Sequence, residues 1–271
     1  MTLFPVLHED ADLLVLHKPA GLVCHPTKGD AWSSLISRVR IHLGLAAEPQ
    51  MVHRLDRETS GVMVFGKTPE ASEELRRLWQ TGLVTKEYVA IVHGAVREES
   101  GHIDGPLGKD EASAVSVKDR VRPDGVPART HWWRLRQFTR PEGEFTLLRV
   151  RLDTGRKHQI RIHLAHLGHP LAGEKMYGAD ETLYLRFVER RLSDADRTRL
   201  MLPNQALHAA KLWIPWGGEE REFASPPETS FLGFLRGDPL RWAEDPFDPQ
   251  RPHSPDPGGT ATGVATGAAS D

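Results

Sequence analysis

The chain has 271 residues, a net charge of −2 and one cysteine, Cys24. That length can bury a sizeable core as one large domain or two lobes. A lone Cys excludes an internal disulfide and suits a reducing cytosol. No apolar run approaches the roughly 18 residues of a membrane span. Met1 to Pro5 lacks the basic start and apolar stretch of a secretion signal, so a cytoplasmic protein is expected. The net charge of −2 by itself argues against nucleic-acid binding. However, residues 236–271 hold six acids and three bases, leaving 31 acids and 32 bases over 1–235. Phosphate binding would therefore need a local basic face.

In chain order, Pro5–His8 and Leu13–Leu16 read as strands joined by a polar turn at 9–12. His17 to Pro26 carries Pro19, Gly21 and Pro26 and reads as a shaped loop. Trp32, Leu35, Ile36, Val39 and Leu43 follow at helical spacing, which predicts a helix over 31–43. Met51-Val52 is a short apolar entry into His53-Arg54-Leu55-Asp56-Arg57-Glu58-Thr59-Ser60-Gly61, and a strand leaves over 62–66. One acid, Asp56, stands between Arg54 and Arg57, and turn formers follow it. Such a loop can hold a carboxylate at a sheet rim within reach of cations. Alternatively, Asp56 bonds the turn and the arginines are solvated.

Thr68 can cap a helix with Pro69 at its first position, Leu75, Leu78 and Trp79 facing the core, and Gly82 at its end. Lys86–Gly94 alternates as a strand. Residues 98–129 are polar and weakly patterned, with Lys118, Arg120, Arg122 and Arg129. They read as a solvated loop, with an RNA-contacting flap as the alternative. Strands are predicted over 130–138, 145–152 and 206–216, a helix over 157–167 after a Gly turn, and a short helix near 228–235. Residues 180–203 read as helical or irregular. Residues 246–271 hold five Pro and four Gly, which passes the roughly 25–30% mark for disorder. The expected division is a catalytic domain over 1–240 and a disordered tail over 241–271.

The string His53-Arg54-Leu55-Asp56 with Thr59-Ser60-Gly61 resembles the catalytic loop of the RluA family of pseudouridine synthases. Three more stretches agree in order. Asp12 to Gly21 is similar to the family's opening strand and Lys-Pro-Gly loop, and Lys86–Gly94 to its Tyr-bearing strand. Thr154-Gly155-Arg156 with His158-Gln159-Ile160-Arg161 and His163 is similar to its second signature, continued by Gly168-His169-Pro170 and Tyr177-Gly178. Glu174 departs from the family's usual Asp and is read as structural. The S4 module that many members carry has no counterpart in these residues, so substrate choice is expected to come from the catalytic domain.

The resemblance implies an α+β fold: a long mixed, mostly antiparallel sheet in two lobes, with peripheral helices and a central cleft. It implies isomerisation of uridine to pseudouridine in ribosomal or transfer RNA, by a monomer, with no cofactor because the reaction involves no redox change. Breaking a glycosidic bond builds positive charge on the sugar, which a carboxylate can stabilise or trap. By resemblance that carboxylate is Asp56, acting on the base or at the sugar. Arg161 would be its cationic partner, and a bidentate guanidinium would hold it ionised and aim it. Tyr88 would stack under the target base and could relay a proton from C5. The uridine must first be flipped out. Arg54 would fill the vacated space or hold the flipped phosphate, with Lys18 and Arg129 as further phosphate contacts. Among the histidines, His158, His163, His166 and His169 cluster, but no Cys or acid completes a zinc spacing. Two other readings remain. An RNA chaperone would not need Asp56, Tyr88 and Arg161 together. A hydrolase would need a second acid, and Glu58 reads as turn structure.

Overall fold

A computed structural model of the protein describes residues 4–26, 34–240 and 242. The fold is α+β. Its strands are β1 (Val6–Glu9), β2 (Leu13–Lys18), β3 (Gln50–Met51), β4 (Ser60–Gly66), β5 (Thr85–His93), β6 (Ser100–Asp104), β7 (Leu107–Lys109), β8 (Asp119–Val121), β9 (Arg129–Arg140), β10 (Gly143–Leu152), β11 (Leu207–Trp216) and β12 (Glu219–Ala224). Its helices are α1 (Leu35–Leu43), α2 (Pro69–Gln80), α3 (Gln159–His166), α4 (Thr182–Val188), α5 (Asp194–Leu200) and α6 (Thr229–Arg236). Trp32, expected in the first helix, lies outside the described residues, as does nearly all of the expected tail.

The main sheet runs β1-β2-β4-β11-β5-β10-β9-β6, with β3 beside β4 and β12 beside β11. Its described pairings are antiparallel except one. Between β4 and β11 the strands run parallel for two residue pairs, His208 with Ser60 and Ala209 with Gly61. This seam divides the sheet into the two expected lobes. Gly61 has φ +125°, and a Cβ there would overlap the carbonyl of Ala209, so only glycine lets the backbones approach this closely. Ser60 and His208 bond across the seam, Oγ to Nδ1 at 2.8 Å.

One face of the sheet carries Leu14, Leu16, Met63, Tyr88 and Ala90, covered by α1 through Leu35 and Val39 and by α3 through Ile160 and Leu164. On the opposite face α2 packs Leu75 and Leu78 against Leu13, Val15, Val62 and Val64. Farther along, α6 packs Phe231 and Phe234 against Ile91 and Phe145. The α2 boundaries follow the sequence signals: Thr68 caps with its side chain accepting from the Ala71 N–H at 3.1 Å, and Pro69 opens the helix. Trp79 is half-buried and stacks on His53, ring centroids 4.6 Å apart.

Residues 98–129 are not a solvated loop. β6 extends the sheet beyond β9, and β7 with β8 forms a small hairpin. Leu107, Val115 and Ala128 pack there on Ile162 of α3 and on Tyr177. The buried anchors Ile103, Leu107, Val115 and Ala128 are isolated apolar residues without period, so no strand pattern marks them. The basic group is largely neutralised locally. Lys118 bridges to Glu181 at 2.6 Å and Arg122 to Asp124 at 2.6 Å.

Candidate active site

Asp56 sits in the loop between β3 and β4, where the Thr59 N–H donates to its carbonyl at 3.1 Å and closes a tight turn. Two cations tie that loop to the 17–26 loop. The Arg57 guanidinium donates through Nε to the Gly21 carbonyl at 3.0 Å. The Lys18 ammonium donates to the carbonyls of Pro19, Leu22 and Arg57 at 2.9, 2.9 and 3.0 Å. Lys18 was expected to contact phosphate. It is instead wholly buried, and its three donors are spent on backbone, which corrects that expectation: it is a strut for the Asp56 loop. Burial pulls its ammonium down to about 8.

From the far lobe, α3 delivers Arg161. Gln159 fixes how this helix starts. Its carbonyl oxygen accepts from the Thr154 hydroxyl at 2.8 Å and the Arg156 N–H at 3.0 Å, while its NH₂ donates to the Arg129 carbonyl at 2.9 Å and the Thr130 hydroxyl at 3.0 Å. Arg161 Nη1 then donates to Asp56 Oδ2 at 3.0 Å. The fork expected on Asp56 falls on Glu174 instead. Nε and Nη2 of Arg161 each reach a Glu174 oxygen at 2.8 Å. Glu174 is fully buried, and its Oε1 also accepts from the N–H groups of Met176 and Tyr177. Burial alone would raise the Glu174 carboxyl, but the Arg161 charge and these donors hold it down at about 2. Glu174 therefore aims the guanidinium, and Arg161 offers Asp56 its remaining nitrogen.

The Asp56 side chain keeps 20% of its surface exposed. Burial pushes its carboxyl up, but the Arg161 charge, the nearby His158 and the Arg161 hydrogen bond outweigh that and hold it below the usual carboxylate range. It is ionised at neutral pH. Tyr88, on β5 just across β11, is buried and lines with Asp56, Arg54, Ile160, Arg161 and Leu207 a pocket of about 70 Å³. Burial and the Asp56 charge raise its phenol, so it stays protonated. A wider cleft of about 350 Å³ adjoins that pocket, also lined by Arg54, Asp56, His158 and Arg161, with Arg57, Tyr184 and Phe187. Arg54 is exposed and lines both, and among the described residues no hydrogen bond or ion pair holds its guanidinium.

The remaining expectation, Arg129, lies outside both pockets. It is exposed and paired with Asp104, Nε to Oδ2 at 3.1 Å, and it serves the site through its backbone, which holds Gln159. The clustered histidines also have other tasks. His163 bonds Thr130 and the Gly105 carbonyl, and His169 bonds the His93 carbonyl. Among the described residues, no group of three or more His, Cys, Asp or Glu could hold a metal. Sequence reasoning missed His158 as a neighbour of Asp56, Tyr177 as the partner of His158, and the Lys175–Glu58 pair. The signature residues themselves were the only signal, since His158 and Tyr177 each sit within a stretch the resemblance covers.

An ionised acid held by a guanidinium from the other lobe, beside a buried Tyr, is the equipment expected for uridine isomerisation. Known proteins agree. The profile of the RNA pseudouridylate synthase family matches residues 12–166. The uncharacterized RNA pseudouridine synthase YlyB of Bacillus subtilis is 35% identical over 229 residues, 82% of this chain and 68% of that protein. The ribosomal large subunit pseudouridine synthase D of Pasteurella multocida is 36% identical over 232 residues, 84% of this chain and 68% of that protein. Among solved structures, human RNA pseudouridylate synthase domain containing 4 superposes with a TM-score of 0.65 at 26% identity, covering 86% of this chain and 92% of that one. Both the shared sequence and the shared fold bear out the RluA resemblance: the chain belongs to the RNA pseudouridylate synthase family and is an enzyme that isomerises uridine in RNA.

Proposed function

We propose that this enzyme modifies uridine in large-subunit ribosomal RNA, with Asp56 as the catalytic carboxylate, Arg161 as the cation that keeps it ionised, and Tyr88 as the ring beneath the extruded base. The observation that carries these roles is the 3.0 Å bond between Asp56 and Arg161 at the rim of a pocket that Tyr88 also lines. The N1–C1′ bond breaks, a C5–C1′ bond forms, the C5 proton departs and N1 gains one, so no co-reactant is required. Asp56 Oδ2 is engaged by Arg161, which leaves Oδ1 to meet the nucleoside. Flipping the uridine costs a few kcal/mol. Stacking on Tyr88 returns about 1–3 kcal/mol, and Arg54, exposed at the mouth of both pockets, takes the place of the departed base or holds its phosphate.

Ribosomal RNA is favoured as substrate because the relatives from Pasteurella multocida and Vibrio cholerae, at 36% and 39% identity, bear the name ribosomal large subunit pseudouridine synthase D. Asp56→Asn and Asp56→Ala are expected to abolish tritium release from 5-tritiated uridine in ribosomal RNA while filter binding of the RNA survives. Full turnover by either variant overturns the assignment of Asp56. Pseudouridine mapping of RNA from cells lacking the gene should show a lost site in the large-subunit RNA, and a loss confined to transfer RNA overturns the substrate.

A further inference from the structure

We propose that His158 is a positioning residue for Asp56: a neutral imidazole that presents an Nε2–H to the Asp56 oxygen left open by Arg161, in a tautomer selected by Tyr177. This deepens the function proposed above and rests on Asp56 being the catalytic carboxylate.

The backbone supplies the first observation. His158 immediately precedes α3 and lies in the left-handed region, φ 56° and ψ 17°. Non-glycine residues are uncommon there, and such conformations gather at functional sites. His158 makes no side-chain cap to its helix. The conformation therefore does not serve capping. The ring instead lines the cleft beside Asp56, where the side chain is 13% exposed.

The second observation is what the ring touches. Nδ1 lies 2.8 Å from the Tyr177 hydroxyl, and Nε2 lies 3.8 Å from Asp56 Oδ1. An ionised carboxylate only accepts hydrogen bonds, so a lone pair on Nε2 would face negative charge. The proton belongs on Nε2, and Nδ1 must accept. Tyr177 can supply that bond, because burial keeps its phenol protonated and its hydroxyl lies within hydrogen-bond distance of Nδ1. Burial also pulls the imidazole down to about 4, so the ring is neutral at pH 7 and the choice is between two tautomers rather than a charge.

The gap of 3.8 Å exceeds a hydrogen bond. In the free enzyme Oδ1 is thus faced but not captured, and it stays available to the nucleoside. Contacts of this kind tighten when substrate closes the site. Arg161 holds one oxygen and His158 steers the other, so the carboxylate plane is set from two sides.

Nitrogen chemical shifts of the His158 ring in the full-length protein test the tautomer. Wild type should show Nε2–H at neutral pH, and Tyr177→Phe should populate Nδ1–H. A wild-type Nδ1–H tautomer overturns the proposal. Kinetics on RNA test the role. His158→Gly relaxes the left-handed backbone, so it should fold at least as stably as His158→Ala, yet kcat should fall about tenfold or more with KM within about twofold. His158→Gln, whose amide N–H can stand in for Nε2–H, should recover part of that loss. A His158→Gly enzyme with wild-type kcat, or a loss confined to KM, overturns the proposal with Asp56 untouched. Turnover by Asp56→Asn would sink the catalytic assignment and this role together. Should the glycine variant not fold, the wild-type and Tyr177→Phe spectra still decide.

Discussion

Two carboxylates stand two positions apart in one loop and have opposite surroundings. Glu58 is capped: Lys175 Nζ reaches its oxygens at 2.9 Å, and that ammonium, 1% exposed, also donates to the Pro203 carbonyl at 2.6 Å. Asp56 is held by one oxygen only, and its side chain is 20% exposed against 10% for Glu58. A carboxylate whose two oxygens both face a buried ammonium is spent on holding its loop. One fixed by a single strong bond is both aimed and available. Glu58 is thereby a poor second acid for a hydrolase, and under the proposed function the contrast separates the group that holds the loop from the group assigned to react.

The contrast can be broken or sharpened by mutation. The largest effect is expected from Arg161→Ala, which strips Glu174 of its fork and Asp56 of its partner. Removing one side of a buried pair costs about 3–5 kcal/mol, so urea unfolding should show that loss and tritium release should vanish. Retained activity would mean that Asp56 needs no cation. Glu58→Ala leaves Lys175 buried and unpaired and should cost about 3 kcal/mol. Turnover per folded molecule, measured where the variant is fully folded, should nevertheless stay within about tenfold of wild type. Replacing both partners with Glu58→Leu and Lys175→Met should recover most of the stability. If Glu58→Ala were stable but inert, the two acids would have exchanged roles.

The smallest effect is in pH. Glu174 is held at about 2 in the fold against 4.5 for the free group. A lowered carboxyl stabilises the fold fully above 4.5, and that contribution fades as pH falls toward 2. Between pH 7 and pH 3 it should amount to about 2 kcal/mol of lost unfolding free energy. Urea midpoints at the two pH values should therefore converge in Glu174→Gln, and an unchanged pH dependence would show that Arg161 is held by something else.

What was legible in the sequence was local. Thr68 and Pro69 mark the start of α2 because a cap and a fixed φ act within one turn. Asp56 was legible through the signature around it. The fork of Arg161 was not, because which carboxylate receives a guanidinium depends on where residues 56, 161 and 174 meet in space, and the string shows only that all three exist. Lys18 misled for a related reason. A Lys beside Pro and Gly reads as exposed, and its three carbonyl partners come from two loops whose proximity only folding creates. The hairpin of β7 and β8 was missed because single apolar anchors leave no period to read.

The seam at Gly61 has a consequence for how the enzyme comes into being on the ribosome. Asp56 lies in the loop that leads into β4, on one side of β11, and Tyr88 on β5, on the other, yet β11 begins only at Leu207. A nascent polypeptide that has already exposed the acid, the phenol and the guanidinium still lacks the strand that draws them side by side. Synthesis must pass Ala209 and dock it against a glycine made some 150 residues earlier before a reactive centre exists, so prematurely terminated products carry every reactive group and no pocket.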